Sequence, residues 1–156
     1  MGLTGPASGR APKAHCPQWS VIIEPFFTVG AGGQTTVALV HAFATVYMCG
    51  LIWFVQLVHY PLHGAVGPQE FVRYQMLHVR RTSWVVILPM LTEVSTAILL
   101  LIYQPRGVPE TWLLLGLGLL GLVWLATALF SVPAHGALEQ GFSADAHRKL
   151  VTTNWL

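Results

Sequence analysis

Residues 36–60 read TVALVHAFATVYMCGLIWFVQLVHY and lie within a run, 25–69, that carries no Asp, Glu, Lys or Arg. An α-helix rises 1.5 Å per residue, so about 20 residues cross the ~30 Å hydrocarbon core of a bilayer. These 25 residues are long enough to cross with some tilt. The composition agrees: 9% of residues are charged and 54% hydrophobic, with a mean hydropathy of +0.60, whereas soluble domains carry about 25% charged residues. At 156 residues the chain is one small membrane domain, too short for a transporter built from two multi-span repeats.

Two further stretches qualify as spans. Residues 83–103 (SWVVILPMLTEVSTAILLLIY) hold one charge, Glu93, and one proline, Pro89; residues 111–132 (TWLLLGLGLLGLVWLATALFSV) hold no charge and no histidine. Pro89 lacks an N–H and its ring crowds the carbonyl four residues back, so a kink is expected there. The fold class expected is an all-α polytopic transmembrane helix bundle with three spans, 36–60, 83–103 and 111–132.

Outside the spans the text changes character. Residues 1–33 are rich in Gly, Pro and small polar residues and read as an irregular N-terminal extension. Its short apolar patch, 21–29, places Phe26 and Phe27 as interface anchors, and no cleavable signal peptide is expected. The domain proper is 34–156, ending in an amphipathic helix over about 143–156 that Ser143 caps, with Asp145 in its first turn. Cys16 and Cys49 fall in the tail and in mid-span, so no disulfide is expected.

Arg73, Arg80, Arg81, Arg148 and Lys149 fall on one side of a three-span topology, against Arg10, Lys13 and Arg106 on the other. The bias puts the first loop in the cytoplasm and the N-terminus outside. Arg80 and Arg81 weigh most because they sit at a membrane boundary.

His41 and His59 are 18 residues apart, five helical turns, so they share a face while lying about 27 Å apart along the axis. They therefore serve two different sites. Thr45, Met48, Ile52 and Gln56 lie on the same stripe, which is expected to turn toward protein. The loop after the first span brings His59, His63 and His78 to one membrane surface, where the end of the third span delivers His135. These are candidate metal, haem or pigment ligands. Their spacing is not diagnostic, and headgroup and loop hydrogen bonding is the plainer use for interface histidines. The small-residue pattern of light-harvesting pigment sites is absent: Val37 and Val55, not alanine, precede His41 and His59 by four residues.

Glu93, about 18 Å into the membrane, lies at the depth of His41. An unpaired carboxylate there is costly, so a buried His41–Glu93 pair is expected. Such a pair either fixes helix register or, with Met48 or Met90 nearby, belongs to a metal, haem or quinone site. Gly116, Gly118 and Gly121 spell G-L-G-L-L-G inside a span, which reads as a helix-packing stripe and not as a dinucleotide fingerprint.

The strings LVHYPL (57–62), HVRRTSWVVILPMLTE (78–93) and AHRKLVTTNWL (146–156) resemble a family of small bacterial polytopic integral membrane proteins. The resemblance covers roughly 36–156 and implies four spans, the fourth beyond residue 156. It brings no activity, and gives no role to His59, His78, Arg81, Glu93 or His147, which it touches.

No residue set reads as catalytic. A helix that turns inward along its whole length points to an accessory subunit of a larger membrane complex, respiratory or photosynthetic, with lipids and other subunits as partners and no nucleic acid. The competing expectation is a small haem- or metal-binding membrane redox protein using His41 and Glu93 or the His59, His63, His78 and His135 group.

Overall fold

The computed structural model describes residues 30–155. The expectations for Cys16 and for the patch 21–29 with Phe26 and Phe27 lie outside them. In chain order the elements are α1 (Ala31–Phe54), a π-helical turn (Val55–His59), α2 (Tyr60–His63), α3 (Pro68–Tyr103), α4 (Glu110–Ala126), a second π-helical turn (Thr127–Ser131), α5 (Val132–Leu138) and α6 (Ala144–Thr153). They compose three helices long and apolar enough to cross a membrane, Gly32–His63, Pro68–Tyr103 and Glu110–Leu138. Among the described residues there is no strand. The chain is an all-α, multi-pass membrane protein.

All three spans run longer than expected at the same end. Residues 61–82, expected as a loop, are mostly helix: only 64–67 separate α2 from α3. Pro68 occupies the first turn of α3, where its missing N–H costs nothing, and Glu70 complements the helix dipole there. With 36 residues, α3 is about 54 Å long, some 20 Å more than the hydrocarbon core. It also carries Pro89 through its interior without ending. At the other end α1 begins at Ala31, so 31–33 belong to the first span and not to an irregular extension. There Gln34 Nε2 donates to the Tyr103 carbonyl at 3.5 Å. The turn to the third span uses a left-handed cap, Gln104 at φ 43, whose N–H bonds the Leu100 carbonyl.

The packed core lies at the long end and not at mid-membrane. Tyr60, Phe71, Ala134, Leu138 and Leu150 form one buried apolar cluster drawn from α2, α3, α5 and α6. As expected, Ser143 caps α6, accepting from the Ala146 N–H at 3.3 Å, with Asp145 in the first turn. The helix is tied across the first span: Gln56 Nε2 donates to the Val151 carbonyl at 3.2 Å, and Asn154 Nδ2 donates to Gln56 Oε1 at 2.8 Å. Trp53 and Trp155 meet edge to face with centroids 5.6 Å apart, a geometry aromatic rings favour.

The membrane-spanning stretches are barer than expected. The first span buries Ala44, Met48, Gln56, Tyr60 and His63, while Thr45 and Ile52 of the expected stripe are exposed. The helix therefore turns a narrow strip toward protein and not its whole length. In the apolar window of the third span no residue is buried.

Candidate functional site

The site begins with two prolines. Pro61 and Pro133 have no N–H, and each ring would crowd the carbonyl four residues back in a regular helix. The chain answers each with a wider turn: the Tyr60 N–H reaches back five residues to the Val55 carbonyl, and the Val132 N–H to that of Thr127. Single π turns of this kind cluster at functional sites. Two residues past each proline stands a histidine, His63 and His135, at the end of its span.

Five histidines then meet. His59 and His78 stack at a centroid distance of 4.3 Å and 19°. His63 lies 5.6 Å from His59, 5.8 Å from His78 and 5.6 Å from His147. His135 adjoins His78 at 5.5 Å. Phe71 and Tyr74 of α3 wall the group beside His63, at 5.0 and 5.6 Å. His59, His63, His78 and His135, expected at one surface, do come together, and α6 adds His147.

Gln75, with 0% exposure, organises the centre. Its amide nitrogen lies 3.2 Å from both His135 Nδ1 and the His135 carbonyl, and its Oε1 lies 2.7 Å from His63 Nε2. A carbonyl only accepts, so the amide NH₂ must face His135 and the amide oxygen must face His63. His63 therefore carries its proton on Nε2 and donates it to Gln75, which leaves Nδ1 as the lone-pair nitrogen. By the same reasoning His147 Nε2 donates to the Tyr60 carbonyl at 3.0 Å. His78 Nδ1 and Thr82 Oγ1 are 3.0 Å apart.

Two fully buried imidazole nitrogens of the described residues remain without a partner. His63 Nδ1 and His59 Nε2 are both buried and hydrogen-bonded to nothing in the chain. A buried polar atom left in this state costs about 1–3 kcal/mol, and His63 is 0% exposed. Beside them an open groove of about 170 Å³ runs between the first two spans, with His59, His78, Thr82 and Arg81 at its polar end and Leu51 and Val85 among its apolar walls. As the rings stand, no three His, Cys, Asp or Glu side chains among the described residues converge into a metal-binding set.

The other expected sites fall elsewhere. His41 pairs with Thr96 and not with Glu93: its Nδ1 is 2.9 Å from Thr96 Oγ1. Thr96 gives its hydroxyl proton to the Thr92 carbonyl at 2.6 Å, so the His41 Nδ1–H donates to the Thr96 oxygen. Thr96 is three residues beyond Glu93, so the two helices sit about one turn out of the expected register. Glu93 is still buried, at 7% exposure, on the same face as Met90 and Thr96. A Cβ added to Gly116, Gly118 or Gly121 would meet nothing within 4 Å, so the stripe packs on no other part of the described chain. Arg80 and Arg81 are exposed, and Arg81 borders the groove.

The expectations missed Gln75, Tyr74 and His147. A signal for the frame was present. Pro61-Leu-His-Gly-Ala65 and Pro133-Ala-His-Gly-Ala137 are the same phrase 72 residues apart, and their π turns, Val55–His59 and Thr127–Ser131, keep that offset. One local device is thus used twice, at the end of the first span and of the third.

The fold and site define a polytopic all-α membrane protein with a histidine cluster at one end of its bundle. The chain matches no known family, no curated protein and no solved structure.

Proposed function

We propose that this chain is a membrane metal-binding protein whose histidine cluster takes a transition-metal ion. The observation that carries the reading is the pair of buried, unpartnered imidazole nitrogens, His59 Nε2 and His63 Nδ1, in adjoining rings. A neutral imidazole lone pair with no donor in reach is a ligand waiting for a Lewis acid, and histidine is the commonest metal ligand. A bare ion fits better than haem, because the groove beside the cluster is about 170 Å³, below the ~300–1,000 Å³ of sites for larger ligands. Purification from native membranes followed by elemental analysis tests this. A stoichiometric transition metal, retained through dialysis, is expected. A metal-free protein that also refuses zinc, copper and iron on reconstitution sinks the reading.

A second reading, an accessory subunit of a larger bacterial inner-membrane complex of respiratory or photosynthetic type, is supported by the bare third span and its open glycines. Subunits that copurify in stoichiometric amounts are the result it needs. The placement of Arg73, Arg80, Arg81, Arg148 and Lys149 at the cluster end favours a cytoplasmic cluster. A Lys149→Cys variant should then resist impermeant thiol reagents added to intact cells.

A further inference from the structure

We infer that His59, His63 and His78, acting through Nε2, Nδ1 and Nε2 respectively, hold one borderline divalent ion whose fourth coordination position opens into the groove between the first two spans. The inference rests on the metal-binding reading and assigns the ligand atoms within it. Imidazoles bound to one tetrahedral ion at about 2.1 Å through nitrogen have ring centres roughly 5 Å apart. His59–His63, His63–His78 and His59–His78 stand at 5.6, 5.8 and 4.3 Å. The spacing is right for a shared ion; what differs is ring orientation, since His59 and His78 lie stacked at 19°. As they stand the three rings do not converge on one point, so the bound state has His59 and His78 turned out of their stack.

The hydrogen bonds select the same atoms. A metal-bound histidine almost always donates its other ring N–H to a neighbouring oxygen, which fixes tautomer and orientation. His63 does so to Gln75 Oε1, and His78 has Thr82 Oγ1 beside its Nδ1. His63 Nδ1 and His59 Nε2 are fully buried and unpartnered. Among the histidines His147 adjoins only His63, and His135 only His78, with its Nδ1 accepting from the Gln75 amide, so both flank the ion. An all-imidazole set suits zinc, copper, nickel or iron and not magnesium or calcium. Three protein ligands leave a fourth position free, and because His59 and His78 line the groove, that position faces the groove.

The test is a Co(II) titration of the full chain in detergent, read by visible absorption. One equivalent should give a tetrahedral d–d band, and in the wild type three exchangeable imidazole N–H protons should appear at paramagnetically shifted NMR positions. His59→Ala, His63→Ala and His78→Ala should each abolish the band. His135→Ala and His147→Ala should keep it, while Gln75→Leu should keep the band but weaken binding by about 10–100-fold. Azide should shift the band by entering the fourth position. A band that survives the first three substitutions but not His135→Ala or His147→Ala overturns the ligand assignment and leaves metal binding standing. So does a count of N–H signals other than three, read on wild type and independent of how any variant folds. A band indifferent to azide overturns the open position, and the lack of any band with every metal tried removes the underlying reading.

Discussion

Gln75 shows how much one uncharged side chain can settle. Its amide fixes which nitrogen of His63 keeps a proton, and it does so while fully buried. Gln75→Leu would leave the buried His63 N–H and the His135 carbonyl without that partner. At about 1–3 kcal/mol for each unsatisfied group, the variant should melt several degrees lower in detergent, measured by circular dichroism. Gly64 is a tighter case of the same kind: a Cβ there would lie 3.2 Å from His147 Cε1. Gly64→Ala should shift His147 by a few tenths of an ångström and cost less than Gln75→Leu in the same melt. Neither role was legible in the sequence. A glutamine on a helix reads as surface, and what marks Gln75 is three hydrogen bonds to two distant residues, His63 and His135, that only the folded chain supplies. The histidines were legible as a group because span ends place them at one surface. The His41 partner was missed because depth counting is good to about a turn, and Thr96 is one turn from Glu93.

At the scale of elements, the spans were legible from length and apolarity, and their continuation was not. Residues 68–82 are polar enough to read as a loop, yet they contain Phe71 and Gln75 one turn apart on a single buried face, which is the reason the helix persists. The π turns were hidden because hydropathy does not distinguish a five-residue turn from a four-residue one. They set the direction of everything beyond them. Deleting Leu57, an exposed residue of the first π turn, removes the extra residue that lets the helix pass the Pro61 ring, which then meets the carbonyl four residues back at a cost of about 3 kcal/mol. Relieving that clash bends the span where His59 and His63 enter the cluster. The expected result is loss of metal binding together with a lower melting temperature, whereas Leu57→Ala at the same exposed position should change neither. α6 depends on packing more than on charge, since the Asp145–Arg148 pair at 3.8 Å is highly exposed and such pairs contribute little. Leu150 is 0% exposed in the apolar cluster, so Leu150→Ala should cost about 2–5 kcal/mol. It should also free α6, seen as faster amide exchange over 144–153 with the spans unchanged.

At the scale of the whole molecule, the chain divides its work by position along the bundle. The long end is packed, polar inside and rich in imidazole; most of the spanning surface is bare apolar side chains. Lipid alone can cover such a surface, since helices in a bilayer gain little by hiding leucine from acyl chains. Small residues are different, because a glycine stripe lets another backbone approach closely. Gly116, Gly118 and Gly121 have open space where a side chain would project, and Gly121 lies about 21 Å along the helix from His135, too far to touch the cluster. Replacing Gly118 and Gly121, which lie about 60° apart on one helix face, by leucine therefore separates two roles in one experiment. In the isolated chain, metal content should be unchanged and the melting temperature equal or slightly raised, because leucine favours helix over glycine by up to about 1 kcal/mol per site. If the stripe is where a partner subunit sits, the same double variant should lose its companions during purification from native membranes while keeping its metal. Retention of every companion would leave the stripe to lipid and remove the main support for the subunit reading, with the metal site unaffected.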